Sequence, residues 1–282
     1  MIFHFFFKYV FFYSGTKKKT VKVYSNKLCT DQLKMTDSTE TILLENKCCY
    51  EFIKTIKDKS VQLFLLDPPY AITKHKWDKK LNWDILWPEL WRCLKEDGVI
   101  LIHSSIPFTI DIVNSQRDHF KYWWTWHKSR KTGFLNSKKM PLRNTEEVCV
   151  FYKGKCKYNP QKTNLDRKVF KDNGKVPSKS VGEYKQIKSD YVGYFPTTLQ
   201  YFPESSITMK PIELEEYFIK TYTDDKDIVC DITMHTGVVG KACKNQKRHF
   251  LGCEIDPLFF KMAYEYIFND VSPSSKRKKK CR

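Results

Sequence analysis

The residues that most constrain this chain are Leu65-Leu66-Asp67-Pro68-Pro69-Tyr70. Val61 to Leu66 is a near-continuous apolar run, too short for an independent helix, and such runs form strands of a parallel sheet buried on both faces. Pro68 and Pro69 have no backbone N–H to give to a ladder, so the strand ends there and leaves Asp67 at its carboxyl edge. Open α/β sheets place their ligands at that edge. Without Tyr70 the segment would read equally well as a Pro-Pro turn with an acidic cap. With Tyr70, an acid, a rigid backbone carbonyl and an aromatic plane together make a site for a flat ring that carries an amino group.

The rest of the chain supplies such a sheet. Ile42 to Asn46 reads as a strand and Tyr50 to Ile56 as a helical turn. Asp84 to Lys95 places Ile85, Leu86, Leu90, Trp91 and Leu94 at helical spacing, Asp97-Gly98 ends that helix, and Val99 to His103 is a second buried strand. Phe108 to Val113 predicts a helix, and Tyr122 to His127 and Val148 to Tyr152 predict strands. Beyond Pro211 the pattern predicts a helix over Glu213 to Tyr222, a strand over Asp227 to Asp231, a helix over Val238 to Asn245, a strand over His249 to Glu254 and a closing helix over Pro257 to Phe268. Strands alternating with helices indicate an α/β fold, a twisted and mainly parallel sheet covered on both faces.

Three segments fall outside this pattern. Met1 to Tyr13 is aromatic-rich, too short for a membrane span and interrupted by His4 and Lys8, and a polar stretch follows it, so residues 1–40 are expected to be a disordered leader. Lys153 to Pro203 is polar and basic, yet it carries Tyr158, Phe170, Tyr184, Tyr191, Tyr194 and Phe195, more aromatics than a solvated linker requires. It is expected to be a substrate-reading lobe. Ser272 to Arg282 holds Lys276, Arg277, Lys278, Lys279 and Lys280 and reads as a solvated basic tail. The expected division is a leader at 1–40, a catalytic half at 41–153, a lobe at 154–205, a cofactor half at 206–270 and a tail at 271–282.

Fifty Lys and Arg against 32 Asp and Glu give a formal net charge of +18, which favours a polyanionic partner, with nucleic acid foremost. The ten cysteines include no Cys-x-x-Cys pair and follow no convincing secretory signal, so they read as reduced thiols of an intracellular protein. The histidines complete no zinc spacing, and neither a metal nor a membrane is expected as a partner.

A second motif lies near the carboxyl end. Asp231-Ile232-Thr233-Met234-His235-Thr236-Gly237-Val238-Val239-Gly240 runs from strand through tight turn to helix, and the next strand ends in Glu254-Ile255-Asp256. A glycine-bearing turn after one strand and an acid at the tip of the next suit an adenosine-containing cofactor, with the carboxylate on the ribose hydroxyls.

Taken in order, with Asp67 to Tyr70 ahead of the turn at Asp231 to Gly240, the chain resembles the β-class DNA amino-methyltransferases. It is most similar to phage and bacterial adenine methylases, through Ile72 to Asp78, Lys128 to Asn136, Met140-Pro141-Leu142 and Thr208-Met209-Lys210-Pro211. The resemblance covers Ile42 to Phe268. It implies a Rossmann-like, doubly wound class I methyltransferase fold with an inserted target-recognition lobe, S-adenosylmethionine as cofactor and double-stranded DNA as partner. It also implies roles: Asp67 and the Pro68 carbonyl accept hydrogen bonds from the target amine, Pro69 keeps those acceptors rigid, and Tyr70 stacks on a base swung out of the duplex. Lys210, Asp231, Thr233, His235, Gly237, Glu254, Asp256 and Cys48 are the implied cofactor residues, with Gly237 allowing backbone approach and Glu254 holding the ribose. Lys128, Arg130 and Lys131 are candidate phosphate contacts.

The departures from that family are local. His235 stands where the family usually has Gly, and Cys48 where it usually has an Asp on the cofactor's adenine. Ser206, Ile207 and Met209 replace His, Pro and Gln, and Ile106 replaces a Gln before Pro107. Weakened cofactor affinity is therefore expected. Asp-Pro-Pro-Tyr leans toward adenine N6 over cytosine N4, and two readings stay open: an active methyltransferase, or a descendant that binds DNA without methylating it. Oligomeric state is left open as well.

Overall fold

A computed structural model describes residues 8–14, 17–22, 41–73, 75, 77–162, 195–204, 209–271 and 273. Phe170, Tyr184, Tyr191, Tyr194, Ser206, Ile207, Thr208 and the basic tail lie outside the described residues. The chain divides into two units, 1–159 with 198–282, and 160–197. The separate unit is thus narrower than the 154–205 lobe expected. Cys156 to Asn159 belong to the main unit, where Lys157 pairs with Asp227 at 2.7 Å and the Asn159 amide donates to the Thr221 carbonyl. Within 160–197, the Lys162 ammonium lies 4.5 Å from the centre of the Phe195 ring.

The described strands of the main unit form one sheet. They are β1 (Lys8–Ser14), β2 (Lys17–Lys22), β3 (Thr41–Asn46), β4 (Val61–Leu66), β5 (Leu94–Ser104), β6 (Phe120–Thr132), β7 (Arg143–Phe151), β8 (Leu199–Tyr201), β9 (Ile228–Asp231) and β10 (His249–Glu254). Their spatial order is β2-β1-β3-β10-β9-β4-β5-β7-β6-β8. The five central strands β3, β10, β9, β4 and β5 run parallel, whereas β7 pairs antiparallel with β5 and β6 antiparallel with β7.

Strand β4 shows why its sequence is apolar throughout. Phe64 and Leu66 enter the core on one face of the sheet, with α1 (Cys49–Phe52), α2 (Trp83–Cys93) and α3 (Phe108–Ser115). Leu63 and Leu65 enter the core on the other, with α4 (Ile212–Tyr222), α5 (Val238–Asn245) and α6 (Pro257–Asn269). Because side chains alternate along a strand, a sheet covered on both sides demands an apolar residue at every position.

Three expectations need correction. Lys8–Ser14 and Lys17–Lys22 are strands of the sheet, β1 pairing antiparallel with β3, so the leader is not wholly unstructured; their aromatic and β-branched residues favour strand. Asp97-Gly98 does not separate helix from strand: β5 already begins at Leu94, and the dipeptide sits where the pairing with β4 slips from Val61/Leu94 to Leu63/Val99. That irregularity accommodates a turn-forming pair inside a strand. Strand β8, only three residues in a segment without periodicity, was not legible and joins β6 through register with Thr125 to His127.

Candidate active site

Parallel pairing aligns the carboxyl ends of β4, β5 and β9, so the residues that follow each strand meet on one edge. Asp67 follows β4 there. The Tyr70 hydroxyl donates to Asp67 Oδ1 at 2.9 Å, and Lys210 Nζ lies 3.0 Å from the same oxygen. Lys210 also reaches Glu146 of β7 at 3.2 Å, and Glu146 in turn accepts from Lys128 of β6 at 2.7 Å. The four charges alternate in sign, Asp67, Lys210, Glu146 and Lys128, which is how buried charge is tolerated. Trp126 backs the group, with the Lys128 and Lys210 ammonium groups 5.8 and 6.0 Å from its ring.

This arrangement fixes protonation. Burial pushes the Asp67 carboxyl up, but Lys210, with His103 and the Tyr70 hydroxyl behind it, outweighs burial and holds it below the usual carboxylate range. Burial likewise raises Glu146, and Lys210 and Lys128 bring it below its ordinary value. Burial would lower Lys210, yet the Asp67 and Glu146 carboxylates hold it well above an ordinary ammonium. Asp67 is therefore an anion at neutral pH and retains 37% of its side-chain accessibility, enough to meet a ligand. Both described contacts fall on Oδ1, which directs Oδ2 to an incoming donor.

Two residues that sequence reasoning did not single out hold the motif in shape. Asp78, 8% exposed, accepts from the backbone N–H groups of Ala71, Ile72 and Thr73 at 2.6, 3.0 and 2.6 Å. It pins the loop leaving Tyr70, where Ala71 takes a positive φ of 56°. Phe108, at the start of α3, stacks on Tyr70 with centroids 5.4 Å apart and planes 17° apart, and the Lys210 ammonium lies 5.6 Å from the centre of the same ring, so the Tyr70 plane is fixed in place.

The second half of the site lies across β9 and β10. Asp231 is buried, and its Oδ1 accepts the amide and hydroxyl of Thr233 at 2.9 and 3.2 Å, shaping the turn. Burial, only partly countered by Thr233, raises the Asp231 carboxyl well above its ordinary value. Glu254 closes the turn from β10, with Oε2 accepting His235 N at 3.0 Å and Oε1 accepting Asp256 N at 2.8 Å. Each oxygen keeps a further lone pair that can accept another hydrogen bond. Asp256 caps α6 through the Leu258 amide at 2.7 Å. Cys48 follows β3, where Asn46 Nδ2 and Lys47 N both donate to the Glu254 carbonyl, so it stands beside the tip of β10.

Gly237, expected to allow backbone approach, is also required by helix packing. At φ +81° it is the N-cap of α5, and a Cβ there would lie 2.9 Å from the Ala263 Cβ on α6. Its smallness lets α5 and α6 close on each other. His235 carries the strain: it sits at φ +45°, and its ring packs 4.1 Å from Phe259. Burial lowers its imidazole, with Asp67 pulling up and Lys210 pushing down, so the ring lies within the field of the catalytic edge.

Lys128, expected beside a phosphate, is turned inward. It is 6% exposed and occupied by Glu146, whereas Arg130 and Lys131 are exposed beyond it on β6. A lysine in a strand gives no sign of which face it takes until its partner strand is known. Glu146 was legible only as an acid entering the apolar strand of Val148 to Phe151. Among the described residues no cluster of potential ligands could hold a metal ion, and no helix is long and apolar enough to cross a membrane.

Comparison with known proteins places this geometry. The family model described as DNA methylase (N6/N4) matches residues 61–265. The chain is similar to the type II methyltransferase M1.MboII of Moraxella bovis, 26% identical over 252 residues that span 79% of this chain and 95% of that protein. It is similar also to M.HpaI of Haemophilus parainfluenzae, at 25% over 251 residues, 81% and 76% of the two chains. Among solved structures, M1.HpyAVI in complex with SAM superposes with a TM-score of 0.57 at 22% identity, covering 80% of this chain and 99% of that one. The PvuII cytosine-N4-specific DNA methyltransferase superposes with 0.60 at 15%, covering 84% and 90%. Those two structures share the fold, and the sequence match carries the family: the chain belongs to the N6/N4 DNA methylases.

Proposed function

We propose that this protein methylates the N6 amino group of an adenine flipped out of duplex DNA, with S-adenosylmethionine as donor. The observation that carries the reading is the ionised Asp67 at the sheet edge, held by Tyr70 and Lys210 through one oxygen and turned outward with the other. An aromatic amine is a poor nucleophile because its lone pair is delocalised into the ring. Asp67 Oδ2 and the Pro68 carbonyl, accepting its two N–H groups, draw it toward tetrahedral geometry and localise that pair. Tyr70, held by Phe108, would stack on the base. Lys210 keeps Asp67 unprotonated so that it stays an acceptor throughout, and the proton released by the methylated amine passes to solvent water. When bound, S-adenosylmethionine supplies an electrophilic methyl; Glu254 and the turn at Asp231 to Gly237 would hold it.

Single-molecule sequencing of DNA from cells expressing the protein, beside an Asp67→Ala control, tests the reading. N6-methyladenine at a defined motif, absent in the control, is the expected result. N4-methylcytosine would transfer the assignment to cytosine, and an unmethylated genome would overturn it. One observation favours the second reading, a DNA-binding protein without methylation: the His235 side chain stands in the turn where a glycine would leave room. Calorimetric titration with S-adenosylmethionine separates the two, since absence of binding at millimolar concentration supports the non-enzymatic form.

A further inference from the structure

The hairpin between β6 and β7 ends in a tip whose every residue from Ser129 to Pro141 is exposed. Three of them are large and apolar: Phe134 at 75%, Leu135 at 101% and Met140 at 58% exposure. A single exposed leucine needs no explanation, but an apolar cluster at a protruding tip marks a contact surface. The tip is built rather than loose. Gly133, at φ +89°, turns the chain into successive bonds from Asn136 N to Gly133 O, Ser137 N to Phe134 O and Lys139 N to Asn136 O, at 2.9, 3.1 and 2.8 Å. The Thr132 hydroxyl closes its neck on the Arg143 carbonyl at 3.2 Å.

Its root is part of the catalytic edge. Glu146 of β7 touches Lys210, which touches Asp67, and the Arg143 guanidinium bonds Ser105 Oγ and, at 3.0 Å, the Ile106 carbonyl in the loop after β5. Glu146 to Arg143 is a rise of about 10 Å along an extended strand, so the neck of the hairpin leaves the base pocket directly and the tip projects beyond it. Arg130, Lys131, Lys138 and Lys139 flank it, all exposed. The occupant that matches an apolar point between cations, next to a pocket for a flat aromatic amine, is a stacked polyanion.

We propose that Phe134 and Leu135 form a wedge that enters the base stack of duplex DNA beside the target and holds open the gap left by the flipped nucleotide, while the flanking cations take adjacent phosphates. Apolar side chains inserted between base steps act in this way on other duplexes, and extrusion of a paired base is otherwise opposed by a few kcal/mol of stacking and pairing. The inference rests on the DNA reading above and deepens it.

The test compares wild type with Leu135→Ala and Phe134→Ala on a duplex carrying the methylated motif, and on the same duplex with a mismatch at the target base. The expected result is a fall of about 10-fold or more in the methylation rate of the paired duplex and recovery to within about 3-fold on the mismatch, where the base is already loosened. In parallel, permanganate reactivity of thymines in the bound duplex should be enhanced with wild type and lost with the variants. Equal rates on paired duplex, or a deficit that the mismatch does not repair, would overturn the wedge. A wild type that methylates nothing sinks the proposed function, and the permanganate pattern then decides the wedge by itself. Variants that leave DNA reactivity unchanged but shift the protein from dimer to monomer in sedimentation would assign the tip to a second copy of the chain instead.

Discussion

At the scale of single residues, the site is governed by side chains whose cost and benefit can be compared. His235 at φ +45° carries about 1–2 kcal/mol of left-handed strain, against about 0.5–1.5 kcal/mol returned by its contact with Phe259. His235→Gly should therefore change stability by less than about 1 kcal/mol, while tightening S-adenosylmethionine binding by clearing the turn; titration calorimetry and urea unfolding read the two effects separately. Unaltered affinity would show that the ring is no obstacle. Asp78 has the opposite profile, three backbone donors on one carboxylate and no place in the reaction. Asp78→Ala should lower kcat by about 10²-fold, the effect of a misplaced reacting group, with cofactor affinity retained; a loss confined to KM would refute a positioning role. His235 was legible as a misfit only through the family resemblance, which places Gly at that position. Asp78 was visible only as the end of the family-like stretch Ile72 to Asp78, because its three partners are backbone amides.

At the scale of elements, α5 and α6 are set by two glycines. Gly237 and Gly240 both face α6, and a Cβ on Gly240 would come within 2.6 Å of Ile267 Cδ1. Gly237→Ala should destabilise the fold by about 2–4 kcal/mol, combining positive-φ strain with overpacking, as measured by the urea midpoint. A change under about 0.5 kcal/mol would show that α6 moves aside freely. The order and type of the central elements were readable: α5 and β10 match their expected limits, α5 because Gly237 and Asn245 bound it and β10 because it is a short apolar run between charged residues. The start of β5 was not, because Asp97-Gly98 is a strong turn signal that pairing with β4 overrides.

At the scale of the molecule, the alternating charges across β4, β6, β7 and the segment at Lys210 tie the antiparallel strands to the parallel centre. The pH dependence follows from their directions. Asp67 and Glu146 titrate below their ordinary values when folded, so their contribution is fully present above about pH 4.5 and is lost as pH falls through the lowered values. Lys210 is raised, so its contribution is present below about pH 10.4 and is lost as pH climbs through the raised value. Buried Asp231 and Glu254 are raised and work against stability at neutral pH, recovering as acid protonates them. A difference measurement isolates the network: Glu146→Gln should cost about 2 kcal/mol at pH 7, and the gap from wild type should close as pH falls through the lowered Glu146 value. A pH-independent gap would mean that packing, not charge, is lost.

The sequence by itself determined the α/β class, the order of the central strands and helices, the strand end at Asp67 and the turn at Asp231 to Gly237. Those features are local: proline removes a donor, glycine permits positive φ, and apolar periodicity declares which faces are buried. Tertiary structure alone decided that Lys210 and the Tyr70 hydroxyl share Asp67 Oδ1, that Lys128 is buried against Glu146, and that Gly237 faces a helix. Each of these depends on residues far apart in the chain whose meeting is fixed by strand order and register, and neither composition nor spacing along one segment encodes that.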